Sequence, residues 1–230
     1  MNGKQQGLDF STVIASTVHD MKNSLSALIQ AHDQWLARLP EEARAGSEQG
    51  VIEHEFRHLN GMLVQLLGLY KLGINQLPIC PDYHELEDFV EAQLAAQQEV
   101  FRQRDILATW RIEAQSPLGF FDRELVASVV ANVLTNAVRY AGHALLISVE
   151  EEGEQLVISV NDDGCGYPPR LLERQQDYVQ GIDPQTGSTG LGLYFAARIA
   201  ALHVRNGVQG RIEIANGGAL GGGLFRLYLP

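Results

Sequence analysis

FFDRELVASVVANVLTNAVRYA, residues 120–141, is the stretch that decides the fold. It reads as a helix starting near Asp122. On that helix Asn132 and Asn136 stand at i and i+4, on one face, with Arg139 and Tyr140 one turn further on. An amide oxygen is a hard ligand of the kind Mg²⁺ takes while bridging to phosphates. Arg139 has the chemistry to meet a phosphate directly. Two asparagines on a helix are, taken alone, more often caps or surface residues.

Outward from this helix the chain switches between strand and helix periods. HALLISVEEE (143–152) and EQLVISVND (154–162) predict a hairpin around Gly153. GLGLYFAARIAALH (190–203) predicts another helix, and RIEIANGG (211–218) and GLFRLYLP (223–230) two closing strands. Upstream, LPICP (77–81) reads as a short strand, residues 85–104 as a helix and ILATWRIEA (106–114) as a strand. Strands and helices mixed without strict alternation predict helices on one face of a mixed sheet.

The first third has another period. Ile14, Val18, Met21, Leu25, Leu28, His32, Trp35 and Leu39 follow a heptad seam. Pro40 and the glycines at 46 and 50 interrupt it, and Ile52, Phe56, Leu59, Leu63, Leu66 and Tyr70 form a second seam. Two such helices make an antiparallel hairpin that buries one face of each. Pairing two hairpins buries the rest, so a homodimer is expected; the alternative is a hairpin packed on its own C-terminal domain. The predicted fold class is α+β. An N-terminal helical hairpin over residues 8–74, a four-helix bundle in the dimer, precedes an α/β sandwich over 78–230.

Composition narrows the function. The 230 residues carry a formal net charge of −11, and the 17 basic residues are scattered without a basic run. That argues against general nucleic-acid binding, which needs clustered Lys and Arg. Cys80 and Cys165 lie far apart with no CxxC spacing, which argues against a disulfide framework or a thiolate zinc site. No apolar stretch approaches the roughly 20 residues of a membrane span, and the N-terminus lacks a signal-peptide core. The expected location is cytoplasmic. If the chain is whole, its signal reaches it from another protein or through the bundle.

Two further segments join the asparagine helix. NDDGCGYP (161–168) follows a predicted strand: Asp162 ends it, and Gly164 and Gly166 let the chain turn close to a ligand. A carboxylate there can accept from an exocyclic amine such as that of adenine; the bland reading is an Asp-Gly turn. In TGSTGLGLYFAARIA (186–200), Gly187, Gly190 and Gly192 lead into a helix whose first N–H groups are free for phosphate. It matches neither the dinucleotide fingerprint nor a P-loop.

In this order and at this spacing the three segments resemble the ATP-binding domain shared by histidine kinases, Hsp90-type chaperones, type II topoisomerases and mismatch-repair ATPases. NVLTNAVRY resembles their N box, DDGCG their G1 box and GSTGLGL their G2 box. The resemblance runs from about residue 78 to the C-terminus. It implies ATP and Mg²⁺ as cofactors, with Asn136 on the metal and Asp162 on adenine. The other nucleotide-binding residues it implies are Asn132, Arg139, Tyr140, Gly164, Gly166, Gly187, Gly190, Leu191, Gly192 and Leu193. Residues from about Tyr167 to Thr189 would form the lid over ATP; this segment is short and lacks the phenylalanine-bearing box of many relatives.

VHDMKNSL (18–25) chooses among these relatives, because it resembles the phosphoacceptor H box of the kinases. His19 follows seam residue Val18, at the edge of the apolar stripe, where a ring can reach solvent. An imidazole nitrogen attacks phosphorus if a neighbour orients the ring, and Asp20 is the natural partner. Asn23, at i+4, shares the face and can position a water. ATP hydrolases and serine kinases of this superfamily usually carry Glu where this chain has Asn132, so the general base of a hydrolase is missing. The implied reaction is transfer of the γ-phosphoryl group of ATP to His19, then to an aspartate on a separate receiver protein. The alternatives are a degenerate kinase that only binds nucleotide and partners, and an ATP-driven clamp.

HEFRH (54–58) is a literal match to the zinc-protease HExxH. Phe56 and Leu59 belong to the seam, which places His54 and His58 toward the solvated side, and no third ligand follows at a familiar spacing. His32, at a seam position, is expected to be a packed histidine.

Overall fold

A computed structural model describes residues 10–38, 47–74, 77–173 and 191–230. The chain divides into two units, Met1–Leu77 and Pro78–Pro230.

The first unit is a hairpin of α1 (Phe10–Ala37) and α2 (Ser47–Gly73). Val18 and Leu25 are buried on α1, and Gln65 and Leu72 on α2. Half of each seam turns the other way. Met21, Leu28 and Trp35 on α1, and Ile52, Leu59 and Leu66 on α2, recur every seven residues and are exposed. His32 is packed as expected: its ring lies 5.4 Å, edge-on, from that of Phe56. The side chains of His54 and His58 lie outside the described residues. No helix among the described residues is long and apolar enough to cross a membrane.

The second unit is built on a five-stranded sheet. Its elements are β1 (Asp82–Glu85), α3 (Leu86–Gln103), β2 (Leu107–Ile112), β3 (Leu118–Phe121), α4 (Arg123–Tyr140), β4 (Ala144–Glu152), β5 (Gln155–Asp162), α5 (Pro169–Glu173), α6 (Leu191–Leu202), β6 (Val204–Arg205), β7 (Val208–Gln209), β8 (Arg211–Asn216) and β9 (Gly223–Leu229). The sheet order is β2-β4-β5-β9-β8, with β2 parallel to β4 and every other pair antiparallel. One face carries Ile147, Val149, Ile158, Val160, Phe225, Leu227, Ile212 and Ile214, all buried; α3, α4 and α6 pack against the sheet. The opposite face carries Arg111, Glu150, Arg226 and Glu213.

Helix α4 starts where Asp122 Oδ1 accepts the Leu125 N–H at 3.0 Å, an N-cap that satisfies one of the free amides of the first turn. Its buried face is Val126, Val129, Val130, Val133, Leu134 and Val138. β-Branched residues are indifferent helix formers, so burial holds α4 helical. Each such side chain contributes about 1.5–3 kcal/mol when fully buried. β4 and β5 meet across a two-residue turn, with Glu152 opposite Gln155 and Gly153 at φ +65°.

One local expectation is corrected. The strand read at LPICP falls instead on Asp82–Glu85, which pairs with Leu118–Phe121. Pro78 and Pro81 have no N–H to give a ladder, so pairing begins after them. The helix read as starting near Asp122 does start there, and Phe120 and Phe121 before it end β3. The β6–β7 hairpin was not expected; it turns at Asn206 and Gly207, both at positive φ.

Candidate nucleotide-binding site

Asp162 is the last residue of β5, opposite Leu145 on the helix-covered face. It is 9% exposed. Its Oδ1 accepts the Gly164 N–H at 2.8 Å and the Gly223 N–H at 3.1 Å. These two backbone bonds fix the carboxylate, with Oδ2 lying beside Gly223. The acceptor suited to an exocyclic amine is therefore held by the turn that follows it.

Glycines let three other segments close on this point. A Cβ on Gly223 would lie 2.6 Å from Asp162 Oδ2 and 3.4 Å from the Tyr167 ring. A Cβ on Gly164 would collide with the Tyr140 carbonyl oxygen, so the last turn of α4 sits directly on the turn after β5. A Cβ on Gly192 would lie 2.7 Å from Asn132 Nδ2, so α6 begins against the side chain of Asn132. The three sequence segments thus converge: the asparagine helix touches both the DDGCG turn and the start of the helix after GSTG.

On α4, Asn132 is half-buried against α6, whereas Asn136, Arg139 and Tyr140 are exposed. The Arg139 guanidinium carbon lies 5.8 Å from the Tyr140 ring centroid. Asn136 is exposed on the face it shares with Asn132, and its amide oxygen is a donor of the kind that suits a hard cation that keeps its waters. Leu191 is half-buried and Leu193 buried at the head of α6. Gly187 and Gly190 lie outside the described residues.

Gly166 takes φ +75°, and its turn is clamped by Asn216: Oδ1 accepts the Tyr167 N–H at 2.6 Å, and Nδ2 donates to the Tyr167 carbonyl at 2.9 Å. Burial, then the charge of Asp162, pushes the Tyr167 phenol above its ordinary range, so it stays protonated. Asn216, Gly222 and Gly223 are not singled out by the sequence. Their signal in the sequence is the glycine run GGALGGG (217–223), which joins the two closing strands. Asp163 was missed too. Its carboxylate accepts N–H bonds from Gly142 and His143, chiefly His143, which hold its pKa below the ordinary carboxylate value.

In the other unit, His19 is on α1 with its side chain 62% exposed. Its Nδ1 lies 3.3 Å from Asn23 Nδ2 and 3.7 Å from Asp20 Oδ1. Both neighbours singled out in the sequence therefore face the same ring nitrogen. Among the described residues, no group of three His, Cys, Asp or Glu side chains is arranged to hold a metal ion.

A family model described as histidine kinase-, DNA gyrase B- and HSP90-like ATPase matches residues 121–230. The sensor histidine kinase YkoH of Bacillus subtilis is 30% identical over 193 residues, 80% of this chain and 41% of that protein. The chain spans about half the length of the curated relatives it matches. Among solved structures, full-length ShkA in complex with AMPPNP covers 96% of this chain, and 46% of its own, at TM-score 0.65 and 20% identity. The Acinetobacter baumannii histidine kinase AdeS covers 96% of this chain and 95% of its own at TM-score 0.57 and 20% identity. At these identities the structures speak for the fold, which extends over both units.

Proposed function

We propose that this chain, which belongs to the histidine kinase family, binds ATP around Asp162, moves the γ-phosphoryl group onto His19 and passes it to an aspartate of a separate response regulator. The observation that carries the reading is His19 itself. It is a solvent-exposed imidazole with a carboxylate and an amide on one ring nitrogen, in a chain whose second unit is an ATP-binding fold.

The chemistry follows from the ring. Attack by Nε2 needs its lone pair, so the proton must sit on Nδ1. An Nδ1–H meets the Asp20 carboxylate, 3.7 Å away, or Asn23 through its amide oxygen after a half-turn of the amide. Asp20 thereby holds the reactive tautomer and stabilises the charge the ring gains. The Nε2 lone pair forms the N–P bond as the bond from the γ-phosphorus to the bridging oxygen breaks, and ADP leaves with that electron pair.

In the second unit Asp162 Oδ2 accepts from the adenine amine. The N–H groups at the head of α6 face phosphate, Arg139 faces developing charge, and Asn136 is the residue that would hold Mg²⁺. When bound, that ion neutralises charge on the phosphate oxygens. The exposed heptad stripes of α1 and α2 support a homodimeric four-helix bundle, and the same reading places the protein in the cytoplasm. The test is labelling with γ-labelled ATP: wild type gains acid-labile phosphate, while His19→Gln gains none and keeps its ATP affinity. Label that persists in the variant moves the acceptor elsewhere, His32 first.

A further inference from the structure

Asp163, beside the base-reading Asp162, points away from the sheet and back to the N-box helix. Its Oδ1 accepts the Gly142 N–H at 2.8 Å and the His143 N–H at 3.1 Å, and its Oδ2 accepts the His143 N–H at 2.9 Å. Gly142 and His143 follow Ala141, the C-cap of α4. The next residue, Gly164, touches the Tyr140 carbonyl from the same turn. Two successive residues of the G1 turn therefore grip the end of α4, one by charged hydrogen bonds and one by contact.

The grip has a functional position. Asn136, Arg139 and Tyr140 occupy the last turns of α4, and Asp162 immediately precedes Asp163. A nucleotide that pairs its base with Asp162 and its phosphates with the α4 groups spans this joint. The rest of α4 is held without it, by the Asp122 cap and by six buried Val and Leu side chains from Val126 to Val138. Loss of the Asp163 carboxylate thus frees the exposed C-terminal turn and leaves the helix folded.

We propose that Asp163 is a positioning residue for ATP: its carboxylate ties the end of α4 to the turn after β5 and so sets the distance between Asp162 and the phosphate-side groups Asn136 and Arg139. This rests on the nucleotide site assigned above. A misplacement of about 1 Å between two limbs of a site costs as much as a hundredfold in function, so a loosened joint should cost about tenfold in affinity for a ligand that uses both limbs. A ligand that uses only the base limb should bind as before.

The experiment is calorimetric titration of the full chain with Mg·ATP and, separately, with adenosine. Asp163→Ala should lose about tenfold in Mg·ATP affinity and keep its adenosine affinity. Asp163→Asn retains one oxygen for the Gly142 and His143 amides and should recover part of the loss, which also guards against an alanine variant that fails to fold. Amide exchange at Gly142 and His143 should quicken in both variants, that of the α4 core in neither. Equal loss of both ligands, or no loss of Mg·ATP, would overturn the proposal. Asn136→Ala separates the two levels. If it leaves Mg·ATP affinity intact, or if wild type binds no ATP, the site assignment falls and takes this proposal with it.

Discussion

His203, buried just past the end of α6, ties the two helices of the nucleotide site together, and its replacement should be costly. Its Nε2 accepts the Asp122 N–H at 3.1 Å, and its Nδ1–H donates to the Ile199 carbonyl at 3.0 Å. Asp122 is the N-cap of α4 and also takes the Cys80 N–H on Oδ2 at 2.8 Å. His203→Leu nearly preserves volume but leaves the Asp122 N–H buried without an acceptor, at about 1–3 kcal/mol. The Ile199 carbonyl loses a further bond worth about 0.5–1.5 kcal/mol. The sum, about 1.5–4.5 kcal/mol, is a large part of a typical domain stability of about 5–15 kcal/mol. The variant should also lose a pH response. Burial is the main cause holding the His203 pKa below its ordinary 6.5, outweighing the Ile199 bond and the Asp122 charge. The unfolded chain therefore binds the proton first as pH falls. The stability from this group is complete above 6.5 and declines as pH drops through 6.5 toward the folded value. The assay is urea unfolding at about pH 7.5 and about pH 5.5, in a Trp35→Phe background where Trp110 reports on the second unit alone. Equal stability of variant and parent, or an undiminished loss of stability in acid, would refute the reasoning.

Three further outcomes follow from the first unit. Leu28→Asp, at an exposed position of the single hairpin, should leave the helices formed but turn a wild-type dimer into a monomer, because it buries an unpaired charge in the bundle; sedimentation showing a compact wild-type monomer would remove the four-helix bundle. Asp20→Asn should slow autophosphorylation by a few tens-fold or more, on the order of general-base assistance, measured as the initial rate of labelling. Asn23→Ala should keep kinase activity and lose dephosphorylation of the regulator, read from the decay of phosphorylated regulator with ADP present; equal decay with wild type and variant would leave the chain a kinase only.

Elements that carry their own signal were legible in the sequence. The α4 span follows from its apolar period, and the β4–β5 hairpin from alternation around Gly153. What failed depended on partners elsewhere in the chain. β1 forms at Asp82–Glu85 because β3 pairs with it, and nothing in LPICP shows that pairing. The β6–β7 hairpin does have a local signal, the Asn-Gly of VRNGVQ, the strongest short-range mark of a tight hairpin, but its strands of two residues each are too short to show an alternating period. In the site, Asp162 stands out as the end of a strand before glycines. Gly222, Gly223 and Asn216 do not, since they reach Asp162 and Tyr167 only because β9 lies beside β5 in the sheet. Asp163 reads as a turn former until the end of α4 is seen to lie within 3 Å of it.

Asn132 is where sequence and structure bear most directly on the reaction class. Relatives that hydrolyse ATP usually carry a glutamate at the corresponding place, and the identity of one residue is by itself a thin argument. The packing strengthens it. The Asn132 amide already abuts the backbone of Gly192, so closely that a single added carbon at 192 would lie 2.7 Å from it. A glutamate is one methylene longer and charged. At this position it would drive into the first turn of α6, or displace that turn from the place where its N–H groups face phosphate. In the proposed site, the helix end that would bind phosphate and a carboxylate that would activate water compete for one space. The proposed acceptor, the exposed imidazole of His19, is a nucleophile that needs no base at residue 132.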